Sequence, residues 1–249
     1  MKKQNSPFNI LMITLVILSI FSCEKEEEPT PNNPLNGRTT AVFNPDKSYG
    51  SMTDIDGNIY KTIKIGNQTW MAENLRVTKY MNGDGIPNIT DNDEWASLST
   101  GAFCNYNNTT NLDTIATYGR LYNWYALADP REIAPKGWRV PTNADWNELI
   151  ELLGGDTIAS NALKEAGDRH WADSYESTNS SGFTAIPSGW RDSSKNFTKI
   201  GYYCNYWAAT ETSSNAAAYL YLFFHDSKVW RGNNFKSNSY SLRLIKESN

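Results

Sequence analysis

The chain has 249 residues, a net charge of -4 and charges of both signs scattered along its length, which leaves no basic stripe for nucleic acid. Aromatic residues make up 13 %, and rings in that number either build a core or line a binding face. Beyond Phe21 no stretch is long and apolar enough to cross a bilayer, for which a helix needs about 20 such residues.

The chain opens with Lys2 and Lys3, runs apolar over 10–21 except for Thr14 and Ser19, and places the small Ser22 before Cys23. A charged start, an apolar segment too short to span and a small residue at the cut make a secretory signal of residues 1–22. A cysteine directly after the cut resembles a bacterial lipobox, which implies acylation of Cys23 on its sulfur and its amine. Several acyl chains, at ~0.8 kcal/mol per buried methylene, hold a protein on a membrane without spanning it. The run Lys25, Glu26, Glu27, Glu28 resembles the export signal that sends Bacteroidetes lipoproteins to the outer face of the outer membrane. Read from the residues alone, it is an acidic solvated tether. Residues 23–48, acidic and then rich in Pro, Asn and Thr, have little to bury and are expected to form a lipidated, disordered tether.

The folded domain is expected over 49–249. Asp54 to Asn58 reads as a turn feeding an alternating strand over 59–65, and Gly66 and Asn67 reverse it into 68–71 as a hairpin. Asp91, with Glu94 three positions on, opens a short helix. Thr142 caps a longer one, with Asp145 in its first turn and Trp146, Leu149, Ile150 and Leu153 on one face, and Gly154 and Gly155 stop it. A second helix opens at Asp156 and sets Ala159, Ala162, Leu163 and Ala166 on one side, ending at Gly167. Aromatic strands follow over 202–208, 218–224, 228–231 and 241–245, and no internal repeat is present.

Five ordered segments carry a more specific signal: Asp56-Gly57-Asn58-Ile59-Tyr60, the run from Ile65 through Trp70 to Leu75, the run from Tyr118 through Asn123 to Ala126, Pro135-Lys136-Gly137-Trp138-Arg139-Val140-Pro141-Thr142, and Tyr206-Trp207-Ala208-Ala209-Thr210-Glu211. Together, over about residues 54–246, they resemble the Fibrobacter succinogenes major paralogous domain. The resemblance implies a secreted bacterial protein, often a lipoprotein. It also implies an α+β, C-type lectin-like fold of short twisted antiparallel strands with two helices and extensive loops. Arg139 to Thr142 with Asp145 and Trp146 is also similar to the strand-to-helix turn of formylglycine-generating enzymes. Many relatives carry a cysteine after the arginine of the last strand, where this chain has Leu244, so a disulfide from that strand is excluded. On physical grounds Gly66, Gly119 and Gly137 belong to turns, and Trp70, Tyr122, Trp124, Tyr125, Trp138 and Trp207 to the core.

Catalytic chemistry has few candidates. His170 and His225 stand in no metal-ligand spacing, and the chain has no nucleophile elbow, phosphate loop or closely spaced cysteine pair. The chemistry of formylglycine-generating enzymes needs such a cysteine pair, so no catalytic residue and no enzyme are expected. The carboxylates Asp54 and Asp56, like Asp91 and Asp93, lie where turns use Asp for backbone hydrogen bonds. Asn82, Asp84, Asp91 and Asp93 carry the oxygens calcium prefers, but their spacing does not make a site, and no cofactor is assigned. Cys104 and Cys204 could pair and close a loop of ~100 residues, or remain two buried thiols.

Binding has better candidates. The segment 202–240 interleaves rigid rings with Asn and Ser, the composition of a paratope. Tyr219, Tyr221 and Phe223 alternate as one face of a buried strand would. Trp230, Asn233, Asn234, Asn238 and Tyr240 are therefore the expected ligand residues. The reading is a lipid-anchored, outward-facing outer-membrane protein that binds a glycan or protein ligand. A structural component of a surface appendage or glycan-capture assembly is the alternative, followed by an enzyme.

Overall fold

The computed structural model describes Met1 and residues 33–173, 176–192 and 196–248; Cys23, Lys25, Glu26, Glu27 and Glu28 lie outside the described residues. The chain divides into two compact units, Met1–Thr30 and Pro31–Asn249, and the fold below is that of the second.

The body begins earlier than the expected boundary at residue 49. Asn33 Nδ2 donates to Asp56 O and Asn58 Oδ1, Asn36 Nδ2 to Gly57 O, the Thr40 amide to Thr117 Oγ1 and the Val42 amide to Glu165 Oε1. Leu35 is buried. Residues 33–47 are thus a strap on the body and not tether: a stretch with little to bury is held by hydrogen bonds to the turn at residues 56–58, to Thr117 and to Glu165.

β1 (Gly50–Thr53), β2 (Ile59–Ile65) and β3 (Gln68–Met71) form an antiparallel meander. Ile65 faces Gln68 across the second hairpin, so Gly66 and Asn67 make a two-residue turn, with Gly66 at the positive φ of 60° that such a turn requires. β6 (Trp138–Arg139) and β13 (Ile245–Lys246) complete this sheet in the order β1-β2-β3-β13-β6. A second sheet joins β4 (Phe103–Cys104), β5 (Leu121–Asn123), β12 (Ser239–Tyr240), β7 (Trp190–Arg191) and β8 (Phe197–Thr198) in that order. The third holds the two longest strands, β9 (Tyr203–Ser213) and β10 (Ala216–Phe223), together with β11 (Val229–Phe235), and β10 lies in the middle. Parallel bridges Gly189↔Cys204 and Tyr206↔Ser241 dock β9 against the chain beside β7 and β12.

The helices are α1 (Asn92–Ala96), α2 (Leu112–Tyr118), α3 (Trp124–Leu127), α4 (Asn143–Leu152) and α5 (Ala159–Leu163). The expected α+β, C-type lectin-like arrangement with two helices is therefore corrected. The described residues form a β-rich fold of three sheets with five short helices, of which only α4 exceeds two turns. α4 follows its sequence closely: Thr142 and Asp145 make a capping box, and Trp146, Leu149 and Ile150 are buried. α5 stops short of the expected Gly167 because Lys164 turns extended and bridges to Ala185. The Lys164 ammonium then donates to the carbonyls of Phe223, Phe224 and Asp226.

The core divides at the third sheet. Cys204, Tyr206, Ala208, Ala218, Leu220 and Leu222 pack into a cluster with Trp70, Trp146 and Phe183. On the opposite face, Trp207 and Ala217 enter a second cluster with Tyr122, Trp124 and Tyr240. One end of that second face is covered, and the other end carries half-buried rings.

Candidate functional site

Strand alternation sets the chemistry of this open face, because side chains two apart share a side. On β10, Leu220 and Leu222 go to the core, and Tyr219, Tyr221 and Phe223 take the other side, half-buried. Register places Asn205 and Trp230 on either side of Tyr221, Trp207 and Gly232 on either side of Tyr219, and Tyr203 opposite Phe223. Tyr219 and Tyr221 lie near-parallel with centroids 5.9 Å apart, and Tyr221 is near-parallel with Trp230 at 6.1 Å. Tyr219 also stacks on Tyr240 at 4.9 Å, and Tyr203 meets Tyr221 at 5.8 Å.

These rings enclose a shallow recess of about 130 Å³ lined by Trp190, Tyr203, Asn205, Tyr219, Tyr221, Asn234 and Tyr240. At ~30 Å³ per water, it holds roughly four waters, so it suits a ring or a side chain rather than an enclosed small molecule. No lining residue carries a charge at neutral pH. Burial pushes the phenols of Tyr219, Tyr221 and Tyr240 above the usual tyrosine range, so all three keep their protons. Asn234 Nδ2 donates to the Tyr240 hydroxyl at 2.7 Å. Asn205 is 4 % exposed, and its Nδ2 has no hydrogen-bond partner among the described residues.

The structure divides the ligand residues expected from sequence. Trp230 and Asn234 share the aromatic face, with the Trp230 indole N–H donating to Asp226 Oδ2 and Lys228 Nζ lying 4.0 Å over its ring. Asn233 pairs in register with the core-facing Ala218 and points from the opposite side of β11. Tyr240 is 2 % exposed and forms the floor of the recess, and Asn238 is buried beside it. Sequence reasoning set Tyr219 and Tyr221 aside as one face of a buried strand, and passed over Trp190, Tyr203 and Asn205. The alternation around Tyr203 and Asn205 was the available signal.

Other candidates are engaged in structure. Cys104 and Cys204 are free thiols in separate core clusters, each pushed by burial up to about 12, so the disulfide open from sequence does not form here. Asp84 pairs with Arg131 in the turn that holds Asn82, whereas Asp91 caps α1 through the amides of Asp93 and Glu94. No group of three His, Cys, Asp or Glu among the described residues could hold a metal. His170 lies 2.7 Å from Glu165 Oε2 and 2.9 Å from Thr40 Oγ1, fastening the strap. Among the larger clefts, the one of about 400 Å³ beside Trp138 has its Arg139 taken by Asp145 and its Asp129 by Arg131. Another, of about 490 Å³ under the strap, has its Glu73 held by Arg76 and the Lys61 amide.

The shared sequence segments have visible tasks. Asp54 Oδ1 accepts from the amides of Asp56 and Asn58, and Oδ2 accepts from Asn58 Nδ2 and the Tyr60 hydroxyl. Asn74 Oδ1 accepts from Arg243 Nε and Tyr206 OH. Arg139 grips Asp145 through two bonds of 2.7 Å. A profile of the Fibrobacter succinogenes major domain matches residues 63–246, and the chain belongs to that family. No curated protein and no solved structure matches it.

Proposed function

We propose that this protein is a non-enzymatic binding module, held at the outer face of the outer membrane by acyl chains on Cys23 and exported through the Lys25 to Glu28 run. It takes a glycan or protein ligand on the open face of the third sheet and needs no cofactor to do so. The observation that carries this reading is the recess itself: half-buried parallel rings around an amide with an unused donor. Rigid rings supply contact area at low entropic cost, and buried polar groups without partners are rare in folded chains. The family motifs, by contrast, are engaged in hydrogen bonds that define the fold, which leaves the recess as the place where function differs from scaffold. A second reading, as a component of a surface assembly, draws on β11, whose outer edge pairs with no further strand among the described residues.

The test is an array of glycans and surface proteins probed with the full-length protein in detergent. Wild type is expected to bind a defined ligand as a monomer, and the Tyr219→Ala, Tyr221→Ala double variant to lose that signal. Binding retained by the double variant rejects the recess, and ligand-free polymerisation of wild type favours the assembly reading. Metabolic labelling with a fatty-acid analogue checks the anchor, since Cys23→Ala should remain unlabelled.

A further inference from the structure

Resting on the binding reading, we infer that the ligand of the recess is a neutral saccharide, and that Asn205 is the residue that anchors it. The rings fix the first part. Tyr219 and Tyr221 stack within 18° of parallel and Tyr221 is aligned in turn with Trp230, so the three form a rigid apolar wall, and the C–H face of a pyranose ring is the part of a sugar that packs on aromatic rings. The recess is shallow, which suits the end or one exposed unit of a glycan and leaves the rest of the chain in water.

Charge fixes the second part. Every lining group is an aromatic ring, a phenol or a carboxamide, so nothing in the recess neutralises a carboxylate or sulfate. Burial keeps the phenols of Tyr219, Tyr221 and Tyr240 protonated, so no carboxylate or phenolate in the recess pairs with a cation either. Desolvating an unpaired charge there would be unfavourable, whereas hydroxyl groups are matched by amides and phenols, which both donate and accept.

The third part is the unused donor. Asn205 sits opposite Tyr221 in the ladder and next to Trp207, its side chain on the recess wall, and its Nδ2 is buried without a partner. Asn234, also on the wall, is already committed to Tyr240. Its Nδ2 is closed to water in the free protein, so a sugar hydroxyl packed against Tyr221 accepts from Asn205 once the amide turns into the recess, and that bond supplies the direction that stacking lacks. An asparagine kept for its structural bonds would lose stability when truncated. One whose donor is idle in the free protein would not.

Affinity electrophoresis of full-length protein through gels of mannan, xylan, dextran and the acidic polygalacturonate tests this, with melting temperatures measured alongside. Wild type is expected to be retarded by at least one neutral polysaccharide and to run freely through polygalacturonate. Asn205→Ala should weaken the retardation at least tenfold with a melting temperature equal to or above wild type, and Tyr221→Leu should do the same with a small change in melting. Absence of retardation by every neutral gel, or stronger retardation by polygalacturonate, overturns the saccharide inference; Asn205→Ala bound as wild type overturns the anchor. A protein ligand lost in Tyr221→Leu, with no retardation in any gel, would reject the saccharide and leave the binding reading standing.

Discussion

Asp145 concentrates several interactions in one carboxylate. Burial by itself would raise its pKa, but the Arg139 guanidinium and the Thr142 hydroxyl and amide outweigh burial and hold it at about 2. A carboxyl depressed below its ordinary 3.8 adds stability that is in place above that range and is lost as pH falls towards 2. Asp145→Asn should therefore cost about 1–2 kcal/mol at pH 7, allowing for solvent around the partly exposed Arg139, and cost progressively less as pH drops from 5 to 2. Urea midpoints of both proteins across that interval measure it, and a difference independent of pH would mean that the pair does not set the helix start. This residue was readable in advance, since a capping box is written in four consecutive positions. Asn205 was not: an idle buried donor exists only once every neighbour's bonds are assigned.

At the scale of elements, the third sheet shows what alternation can and cannot convey. The side chains of β10 sort to two faces as the sequence suggests, but which face meets water depends on β7 and β12, far apart in the chain, and on where they stop covering it. The strand looked buried because its rings alternate, and alternation is the same for a wet face and a dry one. Gly232 contributes to this face by having no side chain. A Cβ there would stand 3.0 Å from the Tyr219 ring, so glycine lets the ring lie across β11. Gly232→Val is expected to keep the strand, since β-branched residues suit it, while tilting Tyr219 off Tyr221 and reducing ligand retention at least tenfold. Near-ultraviolet circular dichroism, which senses coupled tyrosines, should change with far-ultraviolet signal intact; unchanged tyrosine bands would show that the ring does not depend on Gly232. The helices fell short of expectation for a related reason, since Lys164 leaves α5 to reach carbonyls that local sequence does not reveal.

Across the whole molecule, much of the chain lies in loops, and loops that enter a core bring carbonyls that no ladder satisfies. Three buried cations collect them. Arg243 donates to the carbonyls of Met71, Phe183 and Thr184, Arg191 to those of Ile89, Thr90 and Asp91, and Lys164 to the turn after β10. None of the three has a carboxylate within ion-pair distance among the described residues. Their charges are met by dipoles and by ring faces such as Phe183 and Trp95. The scaffold is thereby fixed without drawing on the recess, which agrees with a module whose shared motifs hold the fold and whose open face binds. The most direct measurement compares Tyr221→Ala with Asn233→Ala, one strand apart and on opposite sides of the same sheet, for retention of full-length protein in the neutral polysaccharide gels. The account predicts at least a tenfold loss for Tyr221→Ala and wild-type retention for Asn233→Ala, with both proteins folded. Retention lost in Asn233→Ala and kept in Tyr221→Ala would place the ligand on the other face and contradict it.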